Sequence, residues 1–373
     1  MKVGVDARQL SGPIVGTARA LRGVLRAWAE AGIPHEVFLY CPRPFRLDFP
    51  NHFHNRIGCG VGRFTGGTLW LQTELCRMAG RDRVEAFWGT TDMLPLPLAR
   101  KVPCLLTVQD LVYYSAPGVL SPYVRAMYRL FFGRSLDAAA RIMTTTAAIR
   151  NDLVAMGFPA SKITAVHLGV DLPSFSNPRG DAGALMRRHA LEPGYFLFAG
   201  YLRPNKNLER TLLAFKSFLS GVKSGPKPML VLAGGRTRTD SRIFELLNDP
   251  ALRERVKYVG FAPENDLPLL YSKALAFVSP ATYEGFGLPY VEAMAAGLPI
   301  IASSIPTARE VCGEAAQYAD PLKPETIESA FSLLWRDEAL RERLRLKSLE
   351  RAKEFGWPSV ARRVLQNLEA VAR

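Results

Sequence analysis

Two carboxylates stand eight positions apart around a glycine-rich loop in the second half of the chain. Glu284 precedes Gly285 and Gly287, and Glu292 lies in the early turns of a helix whose first turn is expected to contain Pro289. Glycine lets a backbone approach a ligand closely, carboxylates accept hydrogen bonds from sugar and ribose hydroxyls, and free helix amides hold phosphate. The pattern therefore favours a site for a phosphorylated sugar. If Glu292 only complemented the helix dipole, Glu284 and the paired glycines would stay unexplained.

A second candidate phosphate site carries two cations. Arg203 and Lys206 lie between a predicted strand that ends at Gly200 and a helix that begins near Asn207, a residue type that caps helices. Cations beside free helix amides bind phosphate. A solvated loop whose lysine faces water explains these residues equally well when they are taken alone.

Short apolar runs alternate with amphipathic segments along the chain, which predicts parallel α/β sheets. Five runs in each half predict strands, and one continuous helix is expected over 69–79. A stretch rich in Pro, Ser and Gly at 171–181 predicts a linker. The expected architecture is two Rossmann-like doubly wound domains that face a central cleft, with ligands at the carboxyl ends of the strands.

Other site motifs are incomplete. The nearest match to G-x-G-x-x-G, at 58–63, lacks the last glycine and follows no clear strand, so it predicts a loop and argues against a dehydrogenase. Neither a P-loop nor a D-x-D pair occurs in the sequence. His52 and His54 form the only close histidine pair, and their Pro/Asn-rich surroundings favour a loop over a metal site.

Composition is that of a globular protein of 373 residues, with 48% hydrophobic and 22% charged side chains. The five cysteines form no C-x-x-C pair, which fits reduced thiols. Because Met1 is not followed by a signal-peptide hydrophobic region and no apolar run reaches the length of a membrane span, we expect a cytoplasmic protein.

Positive charge is concentrated in the first half of the chain. The net charge is +14, of which residues 1–180 hold 21 − 12 = +9 and the remainder 27 − 22 = +5. Such a balance suits an anionic partner: nucleic acid, a phosphorylated metabolite or an acidic membrane. Nucleic acid is the least favoured of these, because no recognised module or basic–aromatic repeat occurs.

The E-x7-E block from Glu284 to Glu292, in Tyr-Glu-Gly-Phe-Gly-Leu-Pro, resembles the signature of retaining GT-B glycosyltransferases, above all glycosyltransferase family 4. The similarity extends over nearly the whole chain, including the segments 3–16, 162–171, 200–207 and 259–271. It implies the GT-B fold, with an acceptor-binding domain over 1–175 and a nucleotide-sugar-binding domain over 176–355. A last helix, 356–373, is expected to pack back on the first domain.

The resemblance also implies roles for individual residues. Glu292 would hydrogen-bond the donor ribose, Glu284 would contact the transferred sugar, and Lys206 with help from Arg203 would neutralise the diphosphate. Backbone groups of further residues are expected at the donor: Gly16, Gly260, Phe261, Gly285, Phe286, Gly287 and Leu288. The family needs no metal ion and no cofactor, and the donor would be GDP-mannose or a UDP-sugar.

One departure from the family lies in the first domain. Gln109-Asp110 stands where the family commonly has His-Asp, and these two residues join Glu284 and Lys206 in the expected catalytic set. Glutamine donates and accepts hydrogen bonds but carries no proton at neutral pH. Activity therefore depends on whether the histidine of the family acts by position or by charge.

We therefore expect a retaining, metal-independent glycosyltransferase that moves a hexose, with mannose the first candidate, to a saccharide or lipid-linked glycan. The alternative, which Gln109 favours, is a catalytically weak relative that binds nucleotide sugar or glycan as a partner subunit. The segment 123–134 mixes aromatics with arginines. On pattern alone it favours a helix with a solvated Arg face. The resemblance instead favours a contact of this helix with an anionic membrane, at the inner face of the cell membrane.

Overall fold

The structure, a computed structural model, describes all residues except 13–15, 46, 59–66, 116–117, 119, 238–240 and 373. The chain divides into two compact units. Unit 1 comprises Met1–Gly169 and the C-terminal helix, and unit 2 comprises Val170–Gly356. Each unit is described separately below.

Unit 1 is built on a parallel sheet. Among its described residues the strands are β1 (Lys2–Asp6), β2 (Glu36–Cys41), β3 (Phe53–Ile57), β4 (Ala86–Gly89), β5 (Cys104–Val108), β6 (Arg141–Thr144) and β7 (Ile163–Ala165). Their order across the sheet is β3-β2-β1-β4-β5-β6-β7, and every pairing is parallel. Central strands such as β5 are buried on both faces, which explains their continuous apolar runs.

The helices of unit 1 connect these strands. Those described are α1 (Gly16–Ala31), α2 (Thr68–Gln72), α3 (Glu74–Asp82), α4 (Leu96–Ala99), α5 (Val112–Ser115), α6 (Pro122–Ala138) and α7 (Ala147–Ala155). The single helix expected over 69–79 is wrong. It is divided into α2 and α3, because Thr73 takes the non-helical angles φ −122° and ψ −81°.

Unit 2 repeats the plan with a second parallel sheet. Its described strands are β8 (Tyr195–Ala199), β9 (Leu230–Ala233), β10 (Val256–Gly260), β11 (Ala274–Ser279), β12 (Ile300–Ser303) and β13 (Ala316–Ala319), in the order β10-β9-β8-β11-β12-β13. The described helices are α8 (Leu172–Ser176), α9 (Ala182–Arg188), α10 (Leu208–Gly221), α11 (Ser241–Leu247), α12 (Leu267–Ser272), α13 (Leu288–Ala295), α14 (Pro306–Cys312), α15 (Pro324–Arg336) and α16 (Glu338–Ala352). An aromatic cluster around Phe196, Phe215, Phe218 and Phe331 fills the core on one face.

The stretch 171–181, expected as a linker, belongs to unit 2 and begins with α8. Asp171 caps this helix, and its carboxylate accepts a hydrogen bond from Ser174 N. Pro173 stands in the first turn, where a proline is compatible with a helix. The first half of the stretch therefore forms a short helix, and residues 177–181 connect it to α9.

The last helix, α17 (Trp357–Ala372), packs in unit 1 against α1. Trp28 Nε1 of α1 donates a hydrogen bond to the Ala361 carbonyl oxygen at 2.9 Å. Val360, Val364 and Leu368 of α17 are buried in the same core as Trp28. The final segment of the chain therefore completes the core of unit 1.

Three short strands lie at sheet edges and lack the continuous apolar run that predicts a buried strand. They are β3, β7 and β13, each of which has one buried residue and others that are less buried, because each strand lies at an edge of its sheet. The loop expected around the histidine pair is correct for His52, which lies in a turn, and wrong for His54. His54 lies in β3, where its ring contacts Phe38 with centroids 4.7 Å apart.

Strand order reverses once in each sheet, and this position is where ligands bind in doubly wound folds. In unit 2 the reversal falls between β8 and β11. The loop that contains Arg203 and Lys206, called the cation loop below, follows β8. The loop that contains Glu284 follows β11. The topology therefore makes the two candidate motifs neighbours.

Candidate active site

The loops after β8 and β11 are joined at the carboxyl edge of the unit 2 sheet. The ammonium group of Lys206 forms an ion pair with Glu284 Oε1, and both side chains are mostly buried. Asn205 Nδ2 donates to the Tyr283 carbonyl oxygen at 3.1 Å, and Thr282 N donates to the Asn205 carbonyl oxygen at 2.9 Å. These contacts bring two motifs that are 78 positions apart into one cluster.

Asn207 fixes the end of the cation loop. It takes left-handed backbone angles, φ 59° and ψ 30°, at the position before α10. Its Nδ2 donates to the carbonyl oxygens of Pro280 at 2.9 Å and Pro321 at 2.6 Å. The expected N-cap position is correct, but the side chain makes no capping hydrogen bond. It instead ties the cation loop to the loop after β11.

Backbone atoms line the neighbouring part of the edge. A Cβ atom at Gly234 would lie 1.7 Å from the Gly200 carbonyl oxygen, so only glycine fits at the end of β9. Gly234 N donates to the Gly260 carbonyl oxygen at 2.7 Å. Phe261, directly after β10, is 53% exposed. This edge therefore presents peptide groups, with an exposed aromatic ring beside them.

The start of α13 is shaped by Gly287, whose φ of +87° disfavours other residues. Tyr290 lies beneath it, and its hydroxyl donates to the Ser279 carbonyl oxygen at 2.7 Å. Burial raises the pKa of Tyr290 well above its usual value, and the charge of Glu284 adds to the effect. The adjoining Gly285, Phe286 and Leu288 are also buried.

Glu292 and Arg203 each contact a tyrosine. Glu292 is buried within α13, and its Oε2 accepts a hydrogen bond from the Tyr271 hydroxyl at 3.1 Å. Arg203 is exposed, with its guanidinium over the Tyr201 ring at 5.3 Å from the centroid. The structure therefore pairs Lys206 with Glu284, holds Glu292 through a tyrosine and leaves Arg203 on the surface.

In unit 1, Gln109 and Asp110 follow β5. Gln109 Nε2 donates to the Thr90 carbonyl oxygen at 2.9 Å, and its backbone N donates to Asp92 Oδ1 at 2.8 Å. Asp110 Oδ1 accepts from Val112 N at 2.9 Å, which fixes the start of α5. The loop after β4 therefore positions the loop after β5.

Asp92 is the most perturbed carboxylate of this cluster. It has a φ of +47° and is buried, and its Oδ2 accepts from the Tyr128 hydroxyl at 2.6 Å. Burial raises the pKa of Asp92 to about 7, and the charge of Asp110 adds to the effect. The hydrogen bonds from Tyr128 and Gln109 N and the charge of Arg8 act in the opposite direction.

Replacing Asp92 with Asn is expected to remove a pH dependence from the stability of unit 1. The pKa of Asp92 is higher in the folded than in the unfolded state, so the protonated carboxyl stabilises the fold relative to the ionised one. This stabilisation is complete below about pH 4 and is lost as the pH rises to about 7. The free energy of unfolding, from urea titrations at about pH 5 and pH 8, should fall with pH more steeply in the wild type than in the neutral variant. Equal slopes would contradict this expectation.

Two predicted segments are only partly described. Gly16 is the first residue of α1 and has a φ of +36°, but residues 13–15 of the preceding glycine loop lie outside the described residues. Of the segment 58–63, only Gly58 is described.

Two family matches together cover most of the chain. The family described as glycosyl transferases group 1 matches residues 186–351, and the glycosyl transferase 4-like domain matches residues 15–169. The O-antigen chain mannosyltransferase B of Escherichia coli is 30% identical over 274 residues, which cover 73% of this chain and 70% of that protein. The chain belongs to the group 1 glycosyltransferases.

Solved structures show the fold of this glycosyltransferase. Sucrose-phosphate synthase from Thermosynechococcus elongatus matches with a TM-score of 0.79 at 19% identity, covering 99% of this chain and 98% of that one. HepE from Anabaena, in complex with UDP-glucose, matches with a TM-score of 0.74 at 16% identity, covering 99% of each chain. The two parallel sheets therefore form a GT-B fold. The family match and the mannosyltransferase relative, and not these structures, support transfer of sugar from a nucleotide sugar.

Among the described residues of the glycosyltransferase, no group of three or more His, Cys, Asp or Glu side chains is arranged to hold a metal ion. Over the same residues, no helix combines the length and apolar character that a membrane span requires.

Sequence reasoning did not assign roles to several polar residues of the glycosyltransferase. Thr90 and Asp92 follow the buried strand β4 in Gly-Thr-Thr-Asp, and polar residues at a carboxyl end were a usable signal. Asn205 lies between Arg203 and Lys206, and no local pattern indicates its hydrogen bond to the Tyr283 carbonyl oxygen. Tyr271 lies in an apolar helix, where a tyrosine is indistinguishable from core packing until its hydroxyl partner is known.

Proposed function

We propose that this glycosyltransferase is a retaining hexosyltransferase that moves mannose from GDP-mannose to a saccharide or lipid-linked glycan. The observation that carries the proposal is the Lys206–Glu284 ion pair where strand order reverses in unit 2, with Glu292 in the helix that follows the Glu284 loop. A cation and two carboxylates beside glycine-rich backbone match a diphosphate, a sugar and a ribose. Unit 2 accordingly binds the donor, and unit 1 binds the acceptor.

In the proposed reaction, the bond from the sugar C1 to the diphosphate oxygen breaks while the acceptor oxygen bonds to C1 from the same face. The acceptor proton passes to an oxygen of the leaving phosphate. Lys206 stabilises the negative charge that develops there, and backbone amides at the start of α13 add to this stabilisation. Charge stabilisation by these groups needs no metal ion.

The choice of mannose rests on the relatives. The E. coli protein is named an O-antigen chain mannosyltransferase, and Anabaena HepE binds UDP-glucose. The greater sequence similarity is to the mannosyltransferase, since HepE is only 16% identical. GDP-mannose is therefore our first donor, and a UDP-hexose is the competing one.

Gln109 supports a positioning role in place of proton transfer. The Thr90 carbonyl oxygen can only accept, so it must face the Gln109 amide nitrogen, and the amide oxygen then points elsewhere as an acceptor. We propose that this oxygen accepts a hydrogen bond from a sugar hydroxyl. Because no proton can be exchanged there, Gln109 also favours a second candidate function, a subunit that binds nucleotide sugar without turnover.

A donor screen separates these functions. Purified protein is incubated with GDP-mannose, UDP-glucose or ADP-glucose and lipid-linked saccharides, and the free nucleoside diphosphate is measured. The transferase function is supported if nucleoside diphosphate is released from one of the donors and if this release is lost in the Glu292→Ala variant. Tight binding of a donor without release across all acceptors identifies the binding subunit.

Membrane contact through α6 stays a prediction. Its exposed residues include Tyr123, Leu130, Arg125 and Arg129. If this face meets an acidic membrane beside a lipid-linked acceptor, the protein should float with anionic liposomes, and replacement of Arg125 and Arg129 by Gln should abolish flotation. An absence of flotation by the wild type would end this idea.

A further inference from the structure

Tyr271 of α12 is a fully buried tyrosine whose hydroxyl contacts a proposed donor ligand residue. The hydroxyl lies 3.1 Å from Glu292 Oε2 and 3.4 Å from the Pro289 carbonyl oxygen. Neither Tyr271 nor Glu292 has more than 3% of its surface exposed. The carboxylate is therefore held inside unit 2 by a hydrogen bond from a buried tyrosine.

The tyrosine ring is itself fixed by packing on two sides. It stacks on Phe277 of β11 with centroids 5.6 Å apart and an interplanar angle of 23°. The ring of Phe175 in α8 meets it edge-on at 5.4 Å and 83°. With the ring immobilised, the hydroxyl has a defined position relative to α13.

A buried carboxylate is costly unless hydrogen bonds compensate for lost water. A hydroxyl that donates to an ionised carboxylate forms a bond roughly twice as strong as one between neutral groups. It also fixes the rotation of the carboxylate plane, which decides whether that carboxylate can meet two neighbouring hydroxyls at once.

We propose that Tyr271 is a positioning residue that orients the Glu292 carboxylate toward the ribose hydroxyls of the donor nucleotide. This inference rests on the proposed function. The proposed contact is with the ribose, so the tyrosine should act on nucleotide affinity and on ribose recognition. The transfer step at the sugar should be nearly unaffected.

The chain offers a matched control. Tyr195 in β8 is fully buried, and its hydroxyl donates to the Leu270 carbonyl oxygen at 2.7 Å. Tyr195→Phe therefore deletes a buried hydrogen bond to the same helix without contacting Glu292. Any general loosening of α12 should occur in both variants.

The test is calorimetric binding of GDP and 2′-deoxy-GDP, and of UDP and 2′-deoxy-UDP, to the full chain. For the nucleotide that binds, Tyr271→Phe should weaken ribose binding about tenfold and reduce the ribose to 2′-deoxyribose ratio toward one. Tyr195→Phe should leave the ratio at the wild-type value. In turnover assays Tyr271→Phe should raise the donor KM and change kcat less than about twofold.

The outcomes separate the inference from the proposed function. Failure of the wild type to bind any of the four nucleotides would overturn the proposed function. Wild-type binding without ribose preference, or an unchanged ratio in Tyr271→Phe, would overturn the inference alone. If Tyr271→Phe does not fold, 4-aminophenylalanine at position 271, which keeps a donor, should preserve the ratio, whereas 4-fluorophenylalanine should reduce it. Equal ratios in these two variants would contradict the proposal.

Discussion

Replacement of Lys206 by methionine is expected to lower the kcat for nucleotide release about a hundredfold to a thousandfold. The ammonium group is mostly buried beside Glu284, at the carboxyl edge of the unit 2 sheet. There it can stabilise the charge that develops on the departing diphosphate. Methionine keeps the length and most of the volume of the side chain and removes the charge. The measurement is steady-state release of the nucleoside diphosphate.

The control for this variant is Lys216→Met. Lys216 lies in α10 of the same unit and pairs with Asp249 Oδ2 at 2.6 Å, so the Lys216→Met variant also loses an ion pair. It should keep wild-type kcat. Because Lys206→Met leaves Glu284 buried without its cation, thermal unfolding of both variants is measured alongside activity. Equal losses of kcat in the two variants would contradict a specific role for Lys206.

Replacement of Asn207 by aspartate is expected to destabilise unit 2 by about 3 kcal/mol or more. The amide nitrogen donates to the Pro280 and Pro321 carbonyl oxygens. Aspartate has nearly the same shape but presents an oxygen to both carbonyls, and Arg210, which donates to the other side-chain oxygen at 3.1 Å, compensates for only part of the buried charge. The cation loop would then separate from the loop after β11, so activity should fall together with stability.

Trp335 makes this prediction measurable for unit 2 separately, since it is the only tryptophan between residues 170 and 356. Urea unfolding of 5-fluorotryptophan-labelled protein, followed by fluorine NMR, reports its signal apart from those of unit 1. Asn248→Asp, at an exposed position after α11, is the matched control and should change the free energy of unfolding by less than about 0.5 kcal/mol. A similar small change in Asn207→Asp would show that its two hydrogen bonds are unimportant.

Much of the fold was predictable because central strands are buried on both faces. Runs such as Tyr195–Ala199 and Cys104–Val108 are continuously apolar and read directly as strands. The edge strands β3, β7 and β13 lack that signal, since their solvated sides admit His, Asn, Arg and Gln. The break at Thr73 was equally hidden, because threonine is tolerated within helices.

The site was predictable where its residues fall in local motifs. Lys206 and Glu284 stand in loops between strands and helices, Glu292 lies in the helix after the second loop, and the Glu284–Glu292 spacing carried the family resemblance. Contacts across the fold were not predictable. The Lys206–Glu284 pair depends on β8 and β11 being neighbours, and the Tyr271–Glu292 contact depends on how α12 packs against α13. The raised pKa of Asp92 needs its burial beside Asp110, which no local pattern encodes.

The central claim, sugar transfer from a nucleotide donor with retention, is tested most directly by the anomeric configuration of the product. The protein is given GDP-mannose labelled with carbon-13 at C1 and a lipid-linked saccharide, and NMR measures the configuration of the new linkage. We expect an α-linked mannose, formed at the wild-type rate by Lys216→Met and about a hundredfold to a thousandfold more slowly by Lys206→Met. A β-linked product, or labelled donor that binds and is never transferred, would contradict it.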